Sequence, residues 1–167
     1  YKAATESAPM PHKGVYVAKA PDTFSFGPGK NDPTSLVAEV NPTIIGPTNE
    51  GYIIKFTKVS NKQWRDQNTG QPTSQLGRYL KAAGLNETIP GNPQAQADAV
   101  ERTAGNLYKI MLDWKAYCSG CGFEAKGEDK FPTNGNGEHV PYVECPNCKD
   151  PETGDALKVR GNAFVAR

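Results

Sequence analysis

The stretch 106–121, NLYKIMLDWKAYCSGC, joins a well-patterned strand to the first half of a metal-ligand motif. One face of the strand is apolar and consists of Tyr108, Ile110, Leu112 and Trp114. Their recurrence at every second position is typical of a β-strand with one buried face. Two cysteines follow the strand at once. We therefore predict a strand over 106–117 that leads directly into a metal site, with Tyr108 and Trp114 in the core.

A second cysteine pair completes the motif after an interval of 23 residues. Each pair has the spacing Cys-x-x-Cys, which lets one tight turn aim both sulfurs at a single ion, and Gly120 and Gly122 allow a sharp bend at the first pair. Four thiolates fill a tetrahedral Zn²⁺ site and leave no open position for water. The sequence therefore predicts one structural zinc ion in a zinc ribbon over 118–155, with the ligands Cys118, Cys121, Cys145 and Cys148.

Other interpretations of these cysteines stay open on sequence alone. They could be free thiols or two disulfides, or they could hold iron in a centre of the rubredoxin type. Their confinement to one short region favours a metal in a reducing compartment over a disulfide framework. His139 lies between the two pairs, but four cysteines complete the site, so we interpret it as a surface histidine.

The rest of the chain predicts a mostly β protein. The clearest strand pattern before the cysteines covers 52–59, whereas 60–74 is polar and predicts a long loop. A last alternating strand is predicted over 156–166. The polar stretch 1–13 is predicted to be a flexible arm.

Two short helices are predicted between these strands. Ser74 precedes an apolar pattern with helical spacing that stops at Gly84. Asn92 precedes Pro93, and proline suits the first position of a helix because its missing N–H costs nothing there. Both Ser74 and Asn92 are residue types that cap a helix N-terminus.

Composition limits the classes of function. The chain has 167 residues and a net charge of +1, which suits one domain, or one domain with an insertion, and gives no global attraction to nucleic acid or anionic membrane. No apolar run approaches the ~20 residues that span a bilayer. There is no phosphate-binding glycine loop, and the two histidines have no triad context. We therefore expect that the protein is not an enzyme.

A local surplus of positive charge marks a candidate nucleic-acid surface. Residues 51–117 contain 9 Lys and Arg against 5 Asp and Glu. Cations beside an exposed aromatic ring suit single-stranded nucleic acid, because the cations follow the phosphates and the ring stacks on a base. Ordinary solvated charges are the alternative interpretation. The candidate contacts are Lys58, Lys62, Trp64, Arg65, Lys109, Lys115, Tyr117, Lys158 and Arg160.

The order of the predicted elements resembles an OB-fold, since a helical segment lies between the third and fourth strands, which are the ones predicted over 52–59 and 106–117. A zinc ribbon inserted in such a fold is similar to a DNA-binding domain of the large subunit of eukaryotic replication protein A, where the insert lies in another loop. The phrases GYII at 51–54, RYLKAAG at 78–84 and AGNLY at 104–108 resemble bacteriophage single-stranded DNA-binding or replication-associated proteins.

This resemblance implies a five-stranded OB-like barrel with two short helices. The barrel would comprise 14–117 and 156–167, and the ribbon over 118–155 would be inserted before the last strand.

The expected function is single-stranded DNA binding in phage replication or recombination. One alternative is a structural or adaptor protein whose ribbon docks onto a protein partner, such as a virion or polymerase component, and another is a zinc-ribbon transcription factor. We expect an intracellular protein, in the host cytoplasm if it is phage-encoded, with no membrane partner.

Overall fold

A computed structural model describes residues 9–166 as a mostly β protein with two α-helices and several antiparallel sheets. The chain divides into two compact units. The first, which we call the helical unit, is Tyr16–Ile110. The second, the ribbon unit, combines Tyr1–Val15 with Met111–Arg167. Neither helix of the described residues has the length and apolar character needed to cross a membrane.

The helical unit contains short strands and both α-helices. Its strands are β1 (Gly14–Lys19, beginning just before the unit), β2 (Ser25–Pro28), β3 (Leu36–Glu39), β4 (Thr43–Gly46), β5 (Lys58–Ser60), β6 (Gln63–Arg65) and β7 (Pro72–Ser74). Strand β1 pairs with β4, strands β2, β3 and β5 form a three-stranded sheet, and β6 pairs with β7.

The helices α1 (Gln75–Ala82) and α2 (Pro93–Glu101) begin at the predicted caps. The Ser74 side chain accepts a hydrogen bond of 2.9 Å from the amide of Gly77, and Asn92 accepts one of 2.8 Å from Ala95. These bonds satisfy N–H groups that have no partner inside the helix. Both predicted helix starts are therefore confirmed.

The core of the helical unit lies between the helices and the three-stranded sheet. It consists of Ala38, Val40, Val59, Leu76, Tyr79, Leu80, Ala83, Ala99 and Val100, with Tyr108 partly buried against it. Tyr79 and Thr103 share a buried hydrogen bond of 2.7 Å. This burial explains the apolar spacing seen in the sequence of α1.

Two predictions for this unit are wrong. The expected strand over 52–59 is a turn-rich segment, of which β5 keeps only the end, because Phe56 has a positive φ of 59° and its side chain points to solvent at 77% exposure. The expected loop over 60–74 contains the hairpin of β6 and β7, in which Trp64 lies opposite Thr73.

The ribbon unit is built on two long strands, β8 (Leu107–Tyr117, beginning just before the unit) and β11 (Ala156–Val165). They pair antiparallel, with Ala163 opposite Trp114, so both predicted strands are confirmed. Between them lie β9 (Glu124–Lys126), a 3-10 helix (Glu128–Lys130) and β10 (Tyr142–Lys149). Strand β9 pairs with β8, and β10 pairs with β11.

The ribbon unit has its own buried centre, and Trp114 is part of it as predicted. Trp114 is 2% exposed and packs edge-on against Phe131, which is also buried. Of the stretch expected to be a flexible arm, 1–8 lie outside the described residues. In the remainder Met10 and Pro11 are buried, and the Trp114 indole donates a hydrogen bond to the Pro11 carbonyl.

The expected five-stranded barrel is not confirmed. Closing a barrel requires each strand to pair on both sides with a consistent tilt and stagger. Over residues 9–166 the sheets stay open, since β2, β3 and β5 pair among themselves and β6 pairs with β7. The last strand, β11, groups with the cysteine region in the ribbon unit, whereas the predicted domain boundaries placed 156–167 with the β-domain.

Candidate metal centre

The four cysteines converge on one point, as the motif predicted. Their sulfur atoms all lie within 4.8 Å of one another. The Sγ atoms of Cys118 and Cys148 are 3.8 Å apart, and those of Cys121 and Cys145 are 3.4 Å apart. Thiolates about 2.3 Å from a central Zn²⁺ lie about 3.8 Å apart at the corners of a tetrahedron. The cysteines are therefore positioned to bind one metal ion.

The first pair sits on a tight turn that follows β8. The amide of Cys118 donates to the Phe123 carbonyl, and the amide of Gly122 donates to the Cys118 carbonyl, both at 2.8 Å. Gly122 has a φ of 81°, which favours glycine. A Cβ at Gly120 would lie 3.4 Å from the Cys148 sulfur, so the absence of a side chain there leaves room for the ligands.

The second pair sits on a bulge in β10. Glu144 lies opposite Lys158, and Lys149 lies opposite Ala156, so β10 advances five residues (149 − 144) while β11 advances two (158 − 156). The extra residues leave the ladder, and both ligands of the second pair belong to this bulge. Bulges commonly re-aim side chains next to functional sites.

Burial and hydrogen bonding differ among the four thiols. Cys118 and Cys145 are buried, Cys148 is half-buried and Cys121 is exposed. A hydrogen bond from the Phe123 backbone, followed by one from the Asn147 side chain, lowers the pKa of Cys121 to about 6. Hydrogen bonds to Cys118 and then Cys121 raise the pKa of Cys148 to about 12. Without a cation, the cluster therefore holds a mixture of thiolate and thiol.

His139 lies outside this cluster in the described part of the chain. Its Nδ1 is 2.7 Å from the carbonyl oxygen of Phe131, and the residue is half-buried at an isolated bridge with Thr133. The imidazole therefore ties down a loop of the ribbon unit. Four sulfurs complete the tetrahedron without it.

Comparisons with protein-family models, with curated proteins and with solved structures found no match to this chain.

The nine predicted nucleic-acid contacts are all exposed. In the helical unit, Lys58 lies on β5, Lys62 just before β6, Trp64 and Arg65 on β6, and Lys109 on β8. The Trp64 ring is 42% exposed, and the guanidinium carbon of Arg78 lies 5.1 Å from its centroid. Arg78 also donates to Asp66 at 3.0 Å, so it holds one face of the ring in place.

In the ribbon unit the predicted residues share one face of the sheet. Lys115 lies opposite Asn162 on the neighbouring strand, and Arg160 lies opposite Tyr142. Since side chains alternate along a strand, this register places one set of residues on a common surface. We call this surface the basic–aromatic face, and it consists of Lys115, Tyr117, Lys126, Tyr142, Lys158, Arg160 and Phe164.

Three residues of this face were missed on sequence. The ammonium groups of Lys115 and Lys126 lie 4.9 and 5.5 Å from the centroid of the Phe164 ring. Arg160 lies 5.5 Å from the ring of Tyr142 and donates to its hydroxyl at 3.1 Å. Continuing the alternation of the last strand places Phe164 on the face, whereas Lys126 and Tyr142 needed the register of two strands that the sequence does not reveal.

Proposed function

We propose that the metal is a structural Zn²⁺. Four thiolates suit a soft or borderline cation, and the tetrahedron they form leaves no position open for a substrate or water. The ion would join the turn after β8 to the bulge of β10, which are far apart in sequence. It would therefore hold the sheet of the ribbon unit in shape without taking part in chemistry.

We further propose that the protein binds single-stranded DNA. The observation that carries this proposal is the basic–aromatic face, where four cations are interleaved with three aromatic rings. Tyr117 is 62% exposed and Tyr142 is 41% exposed. Exposed rings on a sheet can stack on bases while the cations between them contact phosphates.

Acidic residues of the ribbon unit are placed mostly away from this face. Glu124 and Glu144 share it, and Asp113 there is already engaged, since it accepts hydrogen bonds from two backbone amides and lies 3.9 Å from the Lys13 ammonium. The other carboxylates among the described residues of this unit lie in turns, in irregular loops or in the 3-10 helix. Four cations therefore face two unengaged carboxylates, which supports a modest attraction to phosphate.

The helical unit offers a second stacking residue in Trp64. Arg78 covers one side of its ring, and 42% of the side chain remains exposed. Arg65 precedes the turn of the same hairpin and donates to the carbonyl of Gly70 at 2.8 Å. An aromatic ring supported by one guanidinium suits stacking against a base on its other side.

A binding assay with labelled oligonucleotides tests the proposal. At low salt the protein should bind a single strand more tightly than the matching duplex, whose bases are not free to stack. The double variant Lys115→Ala/Lys126→Ala should weaken binding, and Lys30→Ala, an exposed lysine outside the face, should not. Equal binding of all three proteins to the single strand would remove the basic–aromatic face from consideration.

The adaptor function is the alternative, and one observation favours it. Ile53 and Phe56 are large apolar side chains that are 50% and 77% exposed. They lie in the helical unit, so this docking surface would differ from the ribbon. A wild-type protein that binds no oligonucleotide at low salt would leave the adaptor function in place. The phage setting is suggested by the resemblance of three sequence phrases.

A further inference from the structure

A cleft of about 1060 Å³ opens in the ribbon unit. Residues of β9 and the 3-10 helix line one side, and residues of β10 line the other. The buried side chains of Ala125, Phe131 and Val143 contribute an apolar lining, and Tyr142 contributes a partly exposed ring. The volume is comparable to that of sites that hold small organic ligands.

Charged groups of both signs surround this apolar lining. Lys126, Lys130 and Lys158 reach the cleft, as do Glu124, Asp129 and Glu144. A purely apolar guest would leave these groups without partners, and a purely anionic guest would meet the carboxylates. A nucleotide matches both the apolar lining and the charged groups. Its base has flat apolar faces and a hydrogen-bonding edge, and its phosphate suits a lysine.

The cleft also continues into the basic–aromatic face. Lys126, Tyr142 and Lys158 belong to both. A single strand that follows the cations of the face would therefore pass the mouth of the cleft. We propose that the cleft takes one unstacked base of the bound strand and that Tyr142 stacks on it. This inference rests on the proposed function, and it assigns the protein's preference for single-stranded over duplex DNA to the cleft.

Tyr142 is held ready for this role. Arg160 lies over its ring at 5.5 Å and donates to its hydroxyl at 3.1 Å, so the ring is fixed from one side before any ligand arrives. A ring that is already oriented loses little side-chain freedom when a base stacks on it. A paired base cannot enter, since its edge is occupied and its faces are stacked on its neighbours.

The test compares wild type and Tyr142→Ala, each with an ordinary single strand and with an abasic one. Tyr142→Ala should weaken binding of an ordinary single strand by on the order of tenfold to a hundredfold. A strand of the same length with abasic positions should bind wild type about that weakly, and Tyr142→Ala should cause no further loss with it. Tyr142→Phe keeps the ring but loses the hydrogen bond from Arg160, so it should weaken binding of the ordinary strand much less than Tyr142→Ala does. Phe56→Ala, an exposed aromatic outside the cleft, should have no effect.

The outcomes separate this inference from the proposed function. If Tyr142→Ala binds the ordinary strand as wild type does, or loses as much affinity for the abasic strand, no base occupies the cleft, although the protein still binds DNA. If wild type binds neither strand at low salt, both the DNA-binding proposal and the base site in the cleft are wrong, and the adaptor function becomes the better explanation. Unchanged metal content in each variant shows that the ribbon unit has kept its fold.

Discussion

The ring of Phe131 meets the ring of Trp114 edge-on, with centroids 5.2 Å apart and planes at 89°. Both side chains are 2% exposed. The other side of Phe131 lies against Gly161 on β11, where a Cβ would come within 2.6 Å of the ring Cζ. Phe131 is thus held between an indole and a strand backbone on the sides that do not line the cleft.

Gly161→Ala should therefore destabilise the protein by about 1–3 kcal/mol, because the added methyl group would overlap the Phe131 ring. Urea unfolding followed by circular dichroism measures the loss. Gly135→Ala is the matched control, since a Cβ there meets nothing within 4 Å. The double variant Gly161→Ala/Phe131→Leu should recover part of the loss, and a stable single variant would contradict the packing described.

The pH dependence of zinc binding tests the predicted metal site. Purified protein should contain about one zinc per chain, and zinc affinity should rise with pH, because only thiolates bind the ion. The Cys121 thiol, with a pKa of about 6, is already ionised above neutral pH, whereas the Cys148 thiol keeps its proton up to a pKa of about 12. At least one proton must leave on binding, so affinity should rise at least about tenfold per pH unit between pH 7 and 9.

A competition titration with a chromophoric chelator at several pH values measures this slope. Cys148→Ser removes the ligand that holds its proton most tightly, so it should weaken zinc binding and flatten the slope. Protein that is free of metal after purification with zinc present would contradict the structural site.

Tyr79 provides a prediction in the helical unit. Burial raises the pKa of its phenol above the usual value, and the hydroxyl shares a hydrogen bond with Thr103. An unfolded tyrosine loses its proton near pH 10 while the folded one keeps it. The stabilising contribution is therefore complete below pH 10 and is lost as the pH rises through the raised pKa.

Tyr79→Phe should cost about 1 kcal/mol at pH 7 and should show a shallower loss of stability above pH 10. Urea unfolding at both pH values measures the effect. Tyr117→Phe, at an exposed tyrosine, should follow wild type at both. If the free energy of unfolding falls equally above pH 10 for wild type and Tyr79→Phe, Tyr79 ionises as freely in the folded state as in the unfolded state.

Local signals in the sequence predicted much of this fold. The alternation over 106–117 gave both the strand and the burial of Trp114, because one buried face imposes a period of two. Ser74 and Asn92 marked helix starts, since a cap acts within three residues of its own position. The Cys-x-x-Cys pairs predicted the cluster because each turn aims its own two sulfurs.

The errors came from interactions that are distant in sequence. The segment 52–59 has a strand pattern, but the amide of Thr57 donates to the Asn41 side chain at 2.9 Å, and Phe56 adopts a φ that a bulky residue seldom takes. The hairpin within 60–74 is the exception, because its turn has a local sequence signal that was missed. Asp66 accepts from the amide of Asn68 at 2.8 Å, and Gly70 has a φ of 72°.

In the candidate binding surface, too, some residues follow from the pattern of one strand and others depend on how strands pair. Exposure of Lys115 and Arg160 followed from alternation within their own strands. Phe164 follows from the same alternation on the last strand, although it was missed. Lys126 and Tyr142 follow from a register between strands, and register depends on turns and on the whole buried face. The sequence therefore identified Lys115, Tyr117, Lys158 and Arg160, and the structure adds Lys126, Tyr142 and Phe164.

The salt dependence of DNA binding tests the proposed contacts together. A few cations face the ligand, so the logarithm of affinity should fall with the logarithm of salt with a slope of about −2 to −4, at about −0.7 per phosphate neutralised. Trp64→Ala should weaken binding by roughly 1–3 kcal/mol and leave the slope unchanged, because stacking is not ionic. Lys109→Ala should make the slope shallower by about 0.7 and leave base preference unchanged, since a phosphate contact positions the strand without reading it. Anisotropy titrations at four or more salt concentrations measure both quantities. A Trp64→Ala protein with a changed slope but unchanged affinity would reverse the roles assigned to ring and cation.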